Sequence, residues 1–195
     1  HGTYTRMKDG TVIATGTVGV NQHEPTARSV EIFDPATDSW SEGTPMNYPR
    51  GFHDAFLLPD GRLLVIGGVK YNGFSPLTVY AGPPEIYDPA TKKWTVINVN
   101  GADLSGRYAI VPPAIHTMLP DGKILGMVRF GNGVSSFTFN PRTGEAQDGA
   151  GYAIQGKGIQ GEDEALRLFD GKVMVPVGDN SVIFDPATYR WQALP

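Results

Sequence analysis

His53 and His116 each stand near the start of a short apolar segment, and Arg50 and Arg107 lie in the stretches leading into those segments. Imidazoles in such places can contact a ligand or a metal, and an arginine fork can hold a carboxylate through two bonds. A histidine bonded to a turn backbone is the simpler account of His53 and His116. For the arginines, a salt bridge between neighbouring sheets and a ligand contact are evenly matched. The other histidines, His1 and His23, form no close ligand pair with these. His1 carries an amine beside its imidazole and could chelate copper, although a tag remnant accounts for it better.

Three glycine- and proline-rich stretches carry the remaining recognition chemistry. Residues 69–84 contain Tyr71, Asn72, Phe74 and Tyr80; residues 98–113 contain Asp103, Arg107 and Tyr108; residues 145–164 contain Tyr152, Lys157 and Gln160. Aromatic rings with amide and charged neighbours suit stacking on sugars or gripping a peptide, and loops on a rigid scaffold are where such residues usually act. The competing role is to fill space between sheets, which has a slight edge. The last stretch is no phosphate loop, because no Gly-Lys-Ser/Thr follows it. Glu162-Asp163-Glu164 cannot by itself supply the facing carboxylates of a glycosidase, because neighbours on a strand point to opposite faces. It reads as a solvated acidic edge. No serine nucleophile elbow, zinc-ligand histidine pair or EF-hand loop occurs.

Composition narrows the classes further. Cysteine is absent, which removes disulfides and thiolate chemistry. The net charge of -4, with no basic stripe, argues against nucleic acid. No apolar run approaches the roughly 20 residues of a membrane span, and no secretory leader is visible.

The elements that must position these residues are written as repeats. Asp-Gly pairs fall at Asp9-Gly10, Asp60-Gly61, Asp121-Gly122 and Asp170-Gly171, at steps of 51, 61 and 49 residues. A second landmark follows each: Phe33-Asp34-Pro35-Ala36-Thr37, Tyr87-Asp88-Pro89-Ala90-Thr91, Phe139-Asn140-Pro141-Arg142-Thr143 and Phe184-Asp185-Pro186-Ala187-Thr188. A tryptophan then follows in units one, two and four, as Trp40, Trp94 and Trp191. Each unit predicts four antiparallel strands. The Asp-Gly turn joins the first two, and the Asp-Pro turn joins the last two. Leu63-Leu64-Val65-Ile66 is apolar at consecutive positions, so the second strand must be covered on both faces. The Gly67-Gly68 that follows lets a neighbouring chain approach closely. Unit three lacks the tryptophan, so its outer strand is expected to be shorter or looser.

The second unit resembles the kelch repeat, of the galactose-oxidase-like kind. The matching residues are Met46, Pro49-Arg50, His53, Leu58-Pro59-Asp60-Gly61-Arg62-Leu63-Leu64-Val65-Ile66-Gly67-Gly68, Glu85, Tyr87-Asp88-Pro89 and Trp94. The resemblance covers essentially the whole chain as four units. It implies an all-β propeller with the first strand of each blade lining a channel, and it slightly favours an extracellular or periplasmic setting. In kelch domains that bind acidic peptides, arginines placed like Arg50 and Arg107 point into the channel mouth. Galactose oxidase and glyoxal oxidase share the fold, but their copper site needs a tyrosine crosslinked to cysteine, a second tyrosine and two histidines. Without cysteine that site cannot form here.

The expected architecture is therefore one kelch-type propeller domain, 1–195, with blades at about 1–45, 46–100, 101–148 and 149–195. Four blades are fewer than usual, so the chain is expected to be a piece of a larger propeller or to complete its ring with other copies. The expected function is non-catalytic recognition of a protein or carbohydrate without a cofactor, through Arg50, His53, Tyr71, Phe74, Tyr80, Arg107, Tyr108 and His116. The alternatives are the propeller portion of a secreted carbohydrate-active or oxidase-like enzyme, or a structural subunit that self-associates through open blade edges.

Overall fold

The computed structural model describes residues 2–16, 28–70, 79–102, 114–130, 133–149, 165–177 and 180–194. Among these residues the regular structure is all β, in four sheets that follow the four repeats. Among the described residues no helix is long and apolar enough to cross a membrane.

Blade 1 pairs β1 (Thr3–Arg6), β2 (Val12–Thr15), β3 (Val30–Asp34) and β4 (Ser39–Glu42) in sequence order. Blade 2 consists of β5 (Gly51–Leu57), β6 (Leu63–Lys70), β7 (Val79–Tyr80), β8 (Glu85–Asp88) and β9 (Lys93–Val96). Its order is β5-β6-β8-β9, with β7 paired to the end of β6. Blade 3 consists of β10 (Asn100–Gly101), β11 (Ala114–Met118), β12 (Ile124–Phe130), β13 (Gly133–Phe139) and β14 (Glu145–Asp148). Blade 4 pairs β15 (Leu166–Arg167), β16 (Val173–Val177), β17 (Asn180–Asp185) and β18 (Arg190–Ala193) in order. Blades 1 and 2 belong to one compact unit, and blades 3 and 4 to a second.

The turns are built alike because the same side chains close them. The carboxylates of Asp9, Asp60, Asp121 and Asp170 each accept the backbone N–H two residues on, at 3.0 to 3.1 Å. The glycine of each pair takes φ between +82° and +93°, a conformation that side-chain-bearing residues adopt at a cost. At the other landmark Asp34, Asp88, Asn140 and Asp185 accept the same kind of bond at 2.8 to 3.0 Å.

The apolar second strand of blade 2 does find cover on both faces. Leu63, Leu64, Val65 and Ile66 are all buried. Within the first unit Leu63, Val65 and Tyr87 of blade 2 pack against Met7, Ile13 and Val30 of blade 1. In the second unit Val173, Val175, Val182 and Phe184 of blade 4 pack against Ile115, Leu119, Leu125 and Met127 of blade 3.

Blade 3 departs from expectation. Its outer strand β14 is four residues long, as are β4, β9 and β18, so the missing tryptophan does not shorten it. The reason is β10, which pairs with β14 in parallel and supplies a fifth strand from the segment that leaves blade 2. In the middle of the same sheet Gly126 faces Phe137, whose ring occupies the space a Cβ would need. Gly126→Ala should therefore destabilise the protein by about 1–3 kcal/mol through overpacking. Phe137→Leu in the same chain should recover part of the loss, as read by denaturant unfolding.

Candidate functional site

Strand pairing brings the start of a blade's first strand and the end of its second to the same end of the sheet. In blade 2, Gly51 at the start of β5 lies opposite Val69 near the end of β6. The approach to the first strand and the connection between the second and third strands therefore leave from the same end. The tight Asp-Gly and Asp-Pro turns close the opposite end. In this numbering 17–27 and 71–78 connect second to third strands, whereas 103–113 and 150–164 lead into first strands.

Arg50 and His53 lie at that end of blade 2, but the structure turns both inward. Arg50 is fully buried. Its Nη1 donates to the Gly67 carbonyl at 2.8 Å, and its Nη2 donates to the Pro83 carbonyl at 2.7 Å and to Glu85 Oε1 at 3.1 Å. Glu85 is equally buried. Its Oε1 also accepts from Tyr48 N, and its Oε2 accepts from Asn47 N and Nδ2. An ion pair out of water holds only when such bonds replace lost hydration. Arg50 is thus a clamp fastening the lead-in segment to β8, which corrects its expected place as a ligand contact.

His53 is 3% exposed. Its Nε2 lies 2.8 Å from Thr15 Oγ1 and 3.1 Å from Thr3 Oγ1, and these two hydroxyls are themselves 2.8 Å apart. His53 therefore bolts the first strand of blade 2 to the first two strands of blade 1. Its partners are side-chain hydroxyls rather than the expected turn backbone. Gly16 makes the approach possible, because a Cβ there would meet His53 Cε1 at 2.6 Å and collide with the Arg50 carbonyl. Burial, reinforced by the nearby Arg50 charge and opposed by Asp54, lowers the imidazole pKa to about 3.

His116 is not the counterpart of His53. It pairs with Gly126, five residues beyond the Asp121-Gly122 aspartate, whereas the matching residue in blade 2, Val65, pairs with Ala55. His116 therefore stands where blade 2 has Ala55, half-buried, with its ring edge-on to Phe137 at 5.9 Å. Tyr80 contributes backbone to β7 rather than to an open loop. Tyr71, Phe74, Arg107 and Tyr108 lie outside the described residues.

Sequence reasoning passed over Glu85, Asn47, Thr3 and Thr15. The signal for Glu85 was present: a lone acid opening the buried strand Glu85-Ile86-Tyr87 requires a partner.

A kelch motif family model matches residues 19–47. The chain therefore contains a kelch motif. A galactose oxidase of Gibberella zeae is 33% identical over 69 residues, covering 35% of this chain and 9% of that protein. An F-box/kelch-repeat protein of Arabidopsis thaliana is 34% identical, covering 34% of this chain and 16% of that protein. Among solved structures, a fungal alcohol oxidase of the AA5 family in complex with copper aligns with the whole chain at TM-score 0.52 and 19% identity. The chain spans 53% of that oxidase and smaller fractions of the two other relatives.

Copper does not fit the residues described. No group of three or more His, Asp, Glu or Cys side chains among them is placed to hold a metal. The chain has no cysteine, and His53 Nε2 is already engaged by two threonines.

Two outcomes follow from the buried pair and the buried imidazole. Glu85→Ala leaves the Arg50 charge uncompensated and should cost about 3–5 kcal/mol in unfolding experiments. His53 is neutral when folded, while its unfolded form takes up a proton near pH 6.5. Its contribution is therefore complete above pH 6.5 and is lost as pH falls from there toward about 3. Between pH 6.5 and 5, above most carboxylate titration, the wild type should lose stability at up to about 1.4 kcal/mol per pH unit. His53→Gln should flatten that slope.

Proposed function

We propose that this kelch chain is a non-catalytic recognition module that binds a protein or carbohydrate partner through the long connections at one end of its blades. The observation that supports this reading is how the repeat spends its conserved-looking chemistry. Arg50, His53, Glu85 and the turn aspartates are all committed to internal bonds. The residues left for a partner are in the connections 71–78, 103–113 and 150–164, where Tyr71, Phe74, Arg107, Tyr108, Tyr152 and Lys157 combine aromatic surface with donors and charge.

A second reading is favoured by the alignment of the whole chain with half of a copper-containing alcohol oxidase. Here the blades would be the propeller portion of an oxidase-like enzyme whose catalytic residues lie outside these 195.

A glycan array combined with a peptide-library pull-down tests the first reading. Binding should fall at least tenfold when residues 71–78 are replaced by a Gly-Ser linker, with thermal unfolding unchanged. Indifference to every glycan and peptide would count against recognition, and copper-dependent oxidation of sugars or aldehydes by this chain would favour the enzyme.

A further inference from the structure

Blade 3 closes its outer edge with β10, a strand of two residues, and one of the two is a glycine that the packing demands. A Cβ at Gly101 would collide with the Ala146 carbonyl, and its φ of +102° is one that side-chain-bearing residues resist. The residue before it is Asn100. Asparagine is a thermolabile residue, and it is most reactive before glycine. The side-chain amide carbon is open to attack by the next backbone nitrogen, and glycine puts no side chain in the way.

The strand leaves both reacting groups accessible. Asn100 is exposed. Asn100 N donates to the Gly144 carbonyl and Ala102 N to the Ala146 carbonyl, each at 2.9 Å. Successive N–H groups along a strand point to opposite sides, so the Gly101 N–H between them points away from β14. Among the described residues no strand pairs with that side of β10. Three other asparagines show what this position has and they lack. Asn47 Nδ2 donates to Glu85 Oε2, and the following nitrogen, Tyr48 N, donates to Glu85 Oε1. Asn140 precedes Pro141, whose nitrogen has no hydrogen to give up. Asn98 is exposed but precedes Val99, whose branched side chain crowds the nitrogen. The two further Asn-Gly pairs begin at Asn72 and Asn132, outside the described residues.

We infer that Asn100-Gly101 is a self-modifying site that releases β10 from β14. Gly101 N, once it has lost its proton, attacks Asn100 Cγ. The new C–N bond closes a succinimide ring, and the side-chain nitrogen takes up a proton and leaves as ammonia. One water then opens the ring at either carbonyl, leaving aspartate or isoaspartate at position 100. The step needs only water, and it speeds up with pH because the nucleophile is the deprotonated amide.

Either product works against the pairing. Asn100 and Glu145 are direct partners across the two strands, so a carboxylate at 100 sets two negative charges side by side. Isoaspartate also routes the main chain through its Cβ, which adds an atom between the N–H groups of residues 100 and 102. Those two donors then no longer match the spacing of the Gly144 and Ala146 carbonyls that hold them. Blade 3 has no tryptophan after its Asn-Pro turn, so the loss of β10 bares its outer edge.

Peptide mapping by mass spectrometry of the chain aged at mildly alkaline pH tests this, with chromatography to separate aspartyl from isoaspartyl peptides. The folded chain should convert Asn100 at no less than about a tenth of the rate seen in the urea-unfolded chain, because opening so short an edge strand costs little. Asn98 should stay intact over the same period. Hydrogen exchange over residues 145–148 should then run at least about tenfold faster in the aged chain than in the fresh one. Asn100→Gln keeps an amide at this exposed position but closes a ring far more slowly, so its exchange should hold at the fresh value. Conversion of Asn100 slower than that tenth overturns the proposal. So does conversion that leaves exchange over 145–148 unchanged, or an equal rise in the aged Asn100→Gln chain. None of these readouts depends on what the loops bind.

Discussion

Everything in these blades depends on the need to cover both faces of the second strand. Leu63, Leu64, Val65 and Ile66 are consecutive and buried, which a sheet achieves only when other structure packs on each side. At roughly 25 cal/mol per Å² of apolar surface removed from water, face-to-face stacking of sheets is the dominant favourable contribution. The fourfold repetition of turns follows from that demand. Each sheet must present its faces in the same register, so the Asp-Gly and Asp-Pro closures recur with nearly the same bond lengths.

One position shows how differently the blades meet the same demand. The pairs Ala14–Glu31, Val65–Glu85, Gly126–Phe137 and Val175–Val182 occupy equivalent places in the four sheets. In blade 2 the acid is buried and neutralised by Arg50 and three further donors from Asn47 and Tyr48. In blade 3 a phenylalanine fills the site, and glycine replaces the large residue opposite it. In blade 4 two valines suffice. Blade 1 retains the acid on its open face, where water hydrates it. The backbone is common, and the side-chain solution is local.

The relatives named above include an oxidase and an F-box protein, a pairing that shows how little blade chemistry says about function. That fits the internal use of Arg50 and His53. Residues that look like ligands in a repeat signature are, in blade 2, the fasteners between its lead-in segment, its own strands and blade 1.

The sequence by itself determined the all-β class, the four units, the two turn types and the burial of the second strand, because each rests on local conformational preference or on apolar periodicity. The tertiary structure decided the rest. Arg50 could equally have faced a ligand or a salt bridge until β8 brought Glu85 beside it, 35 residues away in the chain. His53 found its partners in Thr15 and Thr3, 38 and 50 residues away in the chain. Blade 3 keeps its outer strand without a tryptophan because β10 arrives in parallel from outside the repeat. In each case the deciding partner is distant in sequence, and no local pattern records which distant groups the packing of strands will bring together.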